Sequence, residues 1–570
     1  MSTWILRRPA LPARTAWRHW RPSMSTEALL AWTTLFFVVA CNGVFWHDAL
    51  AVHPGSVRFA AALLLLLAGV HGLLLGLLVW RWNARVVVSV LVPMALAAAH
   101  YMGRYHIYLD VDMLRNVLAT DVKESGELLT ASLLWPSALA MPVLWLLWRV
   151  RLRAYRLPCA LLRRAGFLLV TLAAIAAGAL LAPQDVSSLL RGHREVRYLA
   201  TPANILVGLP RALQGDGPVR HEAKAPIGLD ARAIPRAAGA RPRLLVIVVG
   251  ETVRAENWGL NGYARQTTPE LQRIGVLNFP DVQACGTSTE ISLPCMFSPW
   301  GRRGYDEARI RGHQSLLHVL EHAGVATLWR DNQSGCKGVC EGLETDRLDD
   351  ATDPSLCAGG RCLDEILLDR LPERVRARQG DRVVVLHPLG NHGPSYFERY
   401  PPAFRRYTPT CDSADLGRCS REQIVNSYDN AVLYADHVLA RLIDTLGSME
   451  DYDTAMIYLS DHGESLGEKG LYLHGMPRAI APEQQTRVPM VMWFSAGFAA
   501  HRGLDLACLR ERATRPADHD KLFSSVLGLM QVRTALYDPA QDLFAGCVQD
   551  PQGLVAAAAP RQVAGPGPSH

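Results

Sequence analysis

Three apolar runs after residue 240 of this 570-residue chain stop abruptly at residues able to bind a metal or move a proton. Residues 244–249 run into Gly250-Glu251-Thr252, and residues 454–460 into Asp461-His462-Gly463-Glu464. Residues 382–386 lead to His387 and then to Gly390-Asn391-His392-Gly393-Pro394. Open α/β sheets bind ligands beyond the carboxyl ends of their strands. One acidic residue there is as easily a helix cap or half of a salt bridge. Glu251 taken with Asp461-His462 says more, because mixed carboxylate and imidazole ligands suit zinc, and a catalytic zinc keeps one position for water or substrate. The segment Cys285-Gly286-Thr287-Ser288-Thr289 offers a hydroxyl for that position. A divalent ion lowers the pKa of such a hydroxyl by stabilising its alkoxide. On spacing alone Thr287, Ser288 and Thr289 are equivalent, and Ser/Thr-rich loops are commonly only turns.

These residues need a frame. With residues 488–494, the apolar runs make four short strands, and residues 314–322 and 426–446 read as helices between them. Continuous apolar strands alternating with helices predict a mainly parallel central sheet covered on both faces, an α/β domain. Ten of the twelve cysteines lie after residue 280. They are closely spaced as Cys285 with Cys295, Cys336 with Cys340, Cys357 with Cys362 and Cys411 with Cys419, leaving Cys508 and Cys547 over. Zinc ribbons would need Cys-x2-Cys pairs, which are absent, so short-loop disulfides in an oxidising compartment fit better. Cys41 and Cys159 are expected to stay reduced.

The first third is different. The chain is 49% hydrophobic and 20% charged, and its apolar residues crowd before residue 182. Five stretches, near 28–45, 59–80, 86–103, 128–148 and 165–181, are long enough to cross a hydrocarbon core, which takes about 20 helical residues. Arg7, Arg8, Arg14, Arg18 and Arg21, then Arg81 and Arg85, then six arginines between Arg149 and Arg164, all fall on one side of a five-span arrangement. The third-to-fourth loop carries Asp110, Asp112, Asp121, Glu124 and Glu127 on the other. Positive charge marks the cytoplasmic side, so the N-terminus is cytoplasmic and everything after the fifth span is periplasmic. The expected plan is a 1–25 cytoplasmic tail, a 26–183 transmembrane domain of five helices, a 184–241 linker with an interfacial helix, a 242–548 periplasmic domain and a 549–570 disordered tail. In the acidic loop, Asn116, Thr120 and Glu124 share one helix face, which by spacing alone reads as a solvated surface. The net charge of +6 makes no case for nucleic acid: only about five lysines are present, and no basic stripe is interleaved with aromatics.

Val249-Gly250-Glu251-Thr252, Cys285-Gly286-Thr287-Ser288-Thr289 with Pro294-Cys295-Met296-Phe297, Asn391-His392-Gly393-Pro394, and Ser460-Asp461-His462-Gly463-Glu464-Ser465 through His474-Gly475 together resemble the lipid A phosphoethanolamine transferases. That family includes the mobile colistin resistance enzymes and lies in the alkaline phosphatase/sulfatase superfamily; the resemblance covers roughly residues 26–548. It implies zinc held by Glu251, Thr289, Asp461 and His462, with Thr289 as nucleophile. His392 and His474 would line the site, and Lys337 matches a substrate-contacting lysine, whereas Gln333 replaces a family asparagine. Asn116, Thr120 and Glu124 match a helix that helps hold the ethanolamine head group. The implied function moves phosphoethanolamine from phosphatidylethanolamine to a lipid A phosphate through a phosphoethanolamine-threonine, in the bacterial inner membrane, by a monomer among its lipid substrates, with polymyxin resistance as outcome. Rivals are transfer to a core sugar, phosphoglycerol transfer from phosphatidylglycerol, a sulfatase, or a receptor that has lost its chemistry. A sulfatase needs Cys or Ser followed by x-Pro-x-Arg, absent after Cys285; the full set of ligands and nucleophile argues against the receptor.

Overall fold

The computed structural model describes residues 22–120, 122–215 and 224–549, without the side chains of Val122, Glu124 and Gln214. The five N-terminal arginines, Asp121, the Glu124 side chain and the tail after residue 549 lie outside the described residues. Two compact units result: residues up to Arg104 with Ala131–Leu209, and Tyr105–Thr130 with the remainder from Pro210. The acidic loop therefore clusters with the second unit rather than with the helices that flank it in sequence.

In the first unit, α1 (Thr26–Ala40) and α2 (Gly43–Val52) precede α3 (Val57–Leu78) and α4 (Ala84–Tyr105). After α5 (Val111–Ala119) and α6 (Val122–Leu128) of the acidic loop come α7 (Leu134–Arg149) and α8 (Leu157–Leu181). Among the described residues four helices are long and apolar enough to span a membrane, and the first expected span is instead the pair α1/α2, bent by 65°. The break has a cause. Asn42 donates its amide to the Phe37 and Thr201 carbonyls, at 2.8 and 2.7 Å, and accepts from the Thr201 backbone amide at 3.0 Å. A side chain that bonds the ends of two segments terminates α1 where hydropathy alone runs on. Helices α3 and α8 pack closely through glycine: a Cβ on Gly69 would meet Ile175 at 2.6 Å, and one on Gly178 the Ala62 carbonyl at 2.7 Å. Small residues let backbones approach where lipid is as apolar as leucine. Leu77, Val90, Trp135 and Leu169 face outward, as a lipid-facing surface requires. The stretch after α8 is helical in three pieces, Pro183–Gly192, Arg194–Leu199 and Ala203–Gly215.

The second unit is built on eight strands: β1 (Arg243–Gly250), β2 (Leu277–Gln283), β3 (Ala326–Asp331), β4 (Thr345–Arg347), β5 (Arg382–His387), β6 (Asp453–Ser460), β7 (Arg487–Phe494) and β8 (Ala517–Asp518). They pair in the order β8-β2-β7-β6-β1-β5-β3-β4. The sheet is mixed: five of its seven pairings are parallel, and β7 alone departs from the parallel course expected. The stretch from β8 to β2 and that from β6 through β1, β5 and β3 to β4 are parallel, but β7 runs antiparallel to both β6 and β2. Its apolar sequence, Val488 to Phe494, looks like its neighbours. What differs is the connection: residues 461–486 hold short strands and a four-residue helix, not the crossover helix a parallel neighbour needs. Both faces of β1, β5 and β6 are buried, and Leu245, Ile247, Val383 and Ile457 lie in one core with Phe523 and Val526.

Residues 224–241, expected to be linker, are partly packed onto this unit. Ile227 and Ala231 join the core, and Arg232–Ala233 pairs with Val532–Arg533. The close cysteine spacings all close as disulfides. Cys285 is bonded to Cys295, and Cys336 to Cys340 four residues on. Cys357 is bonded to Cys362 across the turn between two paired strands, and Cys411 to Cys419 just before a long helix that begins at Arg421. In these two last-named loops and in the 336–340 loop, Cys340, Cys362 and Cys411 are buried. The two cysteines left over make a fifth bridge, Cys508 to Cys547, across 39 residues of sequence. Cys41 and Cys159 are free thiols. Closing a loop as long as the fifth restricts the unfolded chain by about 4 kcal/mol in the chain-entropy treatment. Cys508→Ser/Cys547→Ser should therefore lower the thermal midpoint of the oxidised protein by several degrees in calorimetry, with the activity of the folded fraction unchanged.

Candidate active site

Strand register assembles the site. Strands β1 and β6 run parallel with Ser460 opposite Gly250, so Glu251 and Asp461 leave neighbouring strands at the same level. The Asp461 amide bonds the Gly250 carbonyl at 2.8 Å. Thr252 follows with φ +60°, a left-handed conformation costly for a β-branched residue. That conformation is held from three directions. The Thr252 amide donates to Asp461 Oδ1 at 3.1 Å, its hydroxyl to Glu251 Oε1 at 2.5 Å, and its carbonyl accepts from Tyr428 at 2.7 Å. On the other side Gly390, with φ +56°, lets the 388–392 loop close in, because a Cβ there would sit 2.8 Å from the Glu251 carbonyl oxygen.

Thr289 opens the helix Thr289–Met296 and is buried. Its Oγ donates to Glu251 Oε2 at 2.9 Å and lies 3.3 Å from His462 Nε2. This separates the three hydroxyls that spacing leaves equivalent: Thr287 instead donates to the Met476 carbonyl at 2.7 Å. His462 Nδ1 lies 2.9 Å from the Gly463 carbonyl, which can only accept, so Nδ1 carries a proton. Its Nε2 then faces Thr289, Glu251 Oε1 at 3.3 Å and Asp461 Oδ2 at 3.4 Å. Ligand atoms of Glu251, Asp461 and His462 all fall within 4.8 Å of one another.

The donor set fits a divalent metal. Asp461 Oδ2 is buried with no hydrogen-bond partner. Two carboxylates are thus held out of water, and buried charge needs a partner. The titration behaviour shows the same deficit of positive charge. Burial, then the Glu251 charge, pushes Asp461 up to about 7. Burial would lower His462, yet Asp461 and Glu251 outweigh it and raise it to about 10. Burial would raise Glu251, but its hydrogen bond and charge interaction with His462 hold it well below the usual carboxylate range.

The histidines implied at the rim are here. The His474 ring lies 4.3 Å from His462 and 5.3 Å from His392, centroid to centroid. His474 Nδ1 is 3.4 Å from Glu464, and burial, then the His462 charge, depresses its pKa. Lys337 Nζ donates to Ser334 Oγ at 2.8 Å and is 3.9 Å from Glu290, the residue after Thr289. Gln333, which replaces the family asparagine, donates to Glu251 Oε2 at 2.8 Å. The Cys336 to Cys340 bridge closes the short loop that carries Lys337. Asn116 lines a cavity with Thr287, Ser288 and Gly475. Thr120 ends α5 and spends its hydroxyl on the Asn116 carbonyl at 2.7 Å.

Sequence reasoning missed two supports. His519 accepts from the Cys285 amide through Nδ1 at 3.1 Å and donates through Nε2 to the Ser460 carbonyl at 3.0 Å, joining the hydroxyl loop to the end of β6. Burial lowers it to about 3, so it stays neutral in that role. Glu127 of α6 binds Arg399 at 2.7 Å and Arg361 at 2.7 Å. Burial would raise Glu127, but Arg399, then Arg361, hold it below the ordinary carboxylate value. Lone residues carry no sequence signal for such pairings.

Fold and site together define a protein of the sulfatase class carried on membrane helices: residues 243–532 match the sulfatase family model. Residues 64–216 match the family model described as phosphoethanolamine transferase EptA/EptB. The Escherichia coli K12 phosphoethanolamine transferase EptA is 36% identical over 542 residues, 92% of this chain and 98% of that enzyme. The E. coli phosphatidylethanolamine transferase Mcr-1 is 34% identical, covering 83% of this chain and 90% of that one. The integral membrane lipooligosaccharide phosphoethanolamine transferase A of Neisseria meningitidis superposes with a TM-score of 0.89 at 36% identity, covering 92% of this chain and 99% of that structure. The chain belongs to the phosphoethanolamine transferase family.

Proposed function

We propose that this chain moves phosphoethanolamine from phosphatidylethanolamine to a phosphate of lipid A, with zinc held by Glu251, Thr289, Asp461 and His462. One observation carries the reading: a buried threonine hydroxyl sits within 3.3 Å of both a carboxylate oxygen and an imidazole nitrogen, ligand types that suit zinc. Zinc, when bound there, supplies the charge that lowers the hydroxyl pKa and stabilises charge developing on phosphate.

The rest is work for the chain itself. Thr289 Oγ attacks the donor phosphorus, its bond to phosphorus forms as the bond to the diacylglycerol oxygen breaks, and phosphoethanolamine-threonine remains. His474, kept neutral by burial and oriented by Glu464, takes the proton released and returns it to the departing oxygen. An acceptor phosphate oxygen then forms the new P–O bond as the bond to Thr289 breaks, and the released Thr289 oxygen takes a proton from water. Asn116 and Lys337 bound the space for the head group; the single helix face expected for Asn116, Thr120 and Glu124 is interrupted, since Thr120 is extended where α5 ends and Glu124 belongs to the separate helix α6. Such transfer is positioning plus electrostatics, as in other phosphoryl transfers. Membrane helices would keep enzyme and lipid substrates together in the bacterial inner membrane, N-terminus inside and catalytic unit in the periplasm. A cationic cap on lipid A weakens the anionic surface that polymyxin needs.

The test uses phosphatidylethanolamine labelled in its head group. Label should appear on Thr289 and then on lipid A; consumption of phosphatidylglycerol alone overturns the donor, and label in a core sugar overturns the acceptor.

Metal loading should depend on pH with a definite sign. Asp461, at about 7, and His462, at about 10, hold protons in the metal-free site that zinc must displace. Affinity therefore rises with pH. Zinc titrations of the stripped enzyme should show binding roughly tenfold or more weaker at pH 5.5 than at pH 7.5, a change in the range expected when at least one proton is released.

A further inference from the structure

The cavity that Asn116 shares with the hydroxyl loop is floored by Gly286–Ser288 and walled by Met113 and Asn116 of α5 and by residues 475–479. Two arginines, Arg302 and Arg478, line it. Among the described residues neither makes an ion pair. The Arg302 guanidinium lies over the Tyr305 ring at 5.0 Å, and Arg478 Nη1 is buried without a hydrogen-bond partner. The two nearby carboxylates, Asp112 and Asp520, feel the charge of these arginines but each has another partner as well. Asp520 accepts from the backbone amides of Arg302 and Arg303, at 2.5 and 3.0 Å. Asp112, on the cavity wall, pairs with Arg115 at 3.5 Å. Burial, then the charge of Arg302, lowers the Arg478 pKa, and the Asp520 charge offsets this only in part. The segment bearing Arg478 is fixed to the nucleophile loop. The Gly475 amide donates to the Thr287 carbonyl at 2.8 Å, and Thr287 Oγ donates to the Met476 carbonyl at 2.7 Å.

We propose that Arg302 and Arg478 form a second anion subsite, which receives the phosphate monoester of the acceptor and sets it against the phosphoethanolamine on Thr289. This rests on the transfer reading above. The chemistry calls for such a site, because the second half-reaction brings a phosphate dianion against an already anionic phosphodiester. Guanidinium forks match phosphate geometry and hold their charge at any working pH. The donor is a diester of lower charge, and its head group is placed by Asn116 and Lys337 rather than by these two arginines.

The experiment separates the half-reactions in the full-length, zinc-loaded enzyme. Single-turnover loading of Thr289, read by diacylglycerol release, should stay within about twofold in Arg302→Ala and Arg478→Ala, while kcat/KM for the acceptor falls about tenfold in each, as loss of a charge-assisted hydrogen bond implies. Arg478→Gln repeats the measurement with a side chain of similar bulk. Inorganic phosphate should compete with the acceptor in the native enzyme and lose that competition in the double variant; calorimetry should show one phosphate site fewer. Parallel loss of loading in both the alanine and glutamine variants overturns the proposal, as does an unchanged acceptor step. If the native enzyme is never loaded from phosphatidylethanolamine, the transfer reading fails instead, and the calorimetric count still decides whether the subsite exists.

Discussion

Thr289→Ala should leave no phosphoethanolamine on the intact protein, and transfer to lipid A should fall by about 10⁴-fold or more, the scale seen when a covalent nucleophile is removed. Mass spectrometry after incubation with donor alone reads the first part, and labelled head-group transfer the second. Thr289→Ser should retain the adduct at a reduced rate, since the hydroxyl survives without the methyl group that fixes its rotamer. Bulk is not the issue, because Thr289 touches Glu251 and His462 through its oxygen. An adduct on Ser288 in the alanine variant would refute the assignment. Thr287 is no substitute, its hydroxyl being held by Met476.

The second large effect concerns the acidic ligands. Glu251→Gln and Asp461→Asn keep size and shape while removing charge, so each should bind zinc far more weakly and lose transfer by about 10³-fold or more, as loss of metal charge stabilisation implies. Zinc content after gel filtration, measured by atomic absorption, should fall in step with activity. Gln333→Ala is the graded comparison. Gln333 touches Glu251 and not the hydroxyl, and changes to such supporting residues weaken metal affinity or activity by about 10–100-fold. If all three variants kept full metal and activity, the zinc reading of this cluster would be lost.

The parts of this molecule legible in sequence were those written in short continuous stretches. A strand followed by Glu251, or by Asp461 and His462, is visible because strand and ligand are adjacent in the chain. The same holds for the short disulfide loops: Cys340 lies four residues from Cys336, and Cys419 eight from Cys411, so spacing alone proposes each partner. The resemblance added what adjacency cannot, the choice of Thr289 over its neighbours. Apolar length revealed the spanning helices but not the bend between α1 and α2, which depends on Asn42 meeting Thr201 at a separation of 159 residues. The antiparallel course of β7 was hidden for a related reason, since direction belongs to the connection and not to the strand. His519 and Glu127 meet their partners across 234 and 272 residues. Nothing in either residue's local sequence distinguishes it from a surface histidine or a solvated carboxylate.

Glu127 also bears on how the enzyme can be dissected. A fragment begun after residue 223 would carry Glu251, Thr289, Asp461 and His462 but no α5 or α6. Arg361 and Arg399 would lose the carboxylate that neutralises them, next to the loop that carries His392. The cavity beside Ser288 would lose the wall supplied by Met113 and Asn116. Such a fragment presents more bare positive charge and fewer boundaries than the intact enzyme. It should accept small soluble phosphodiesters with little discrimination, so selectivity measured on it would describe an opened site.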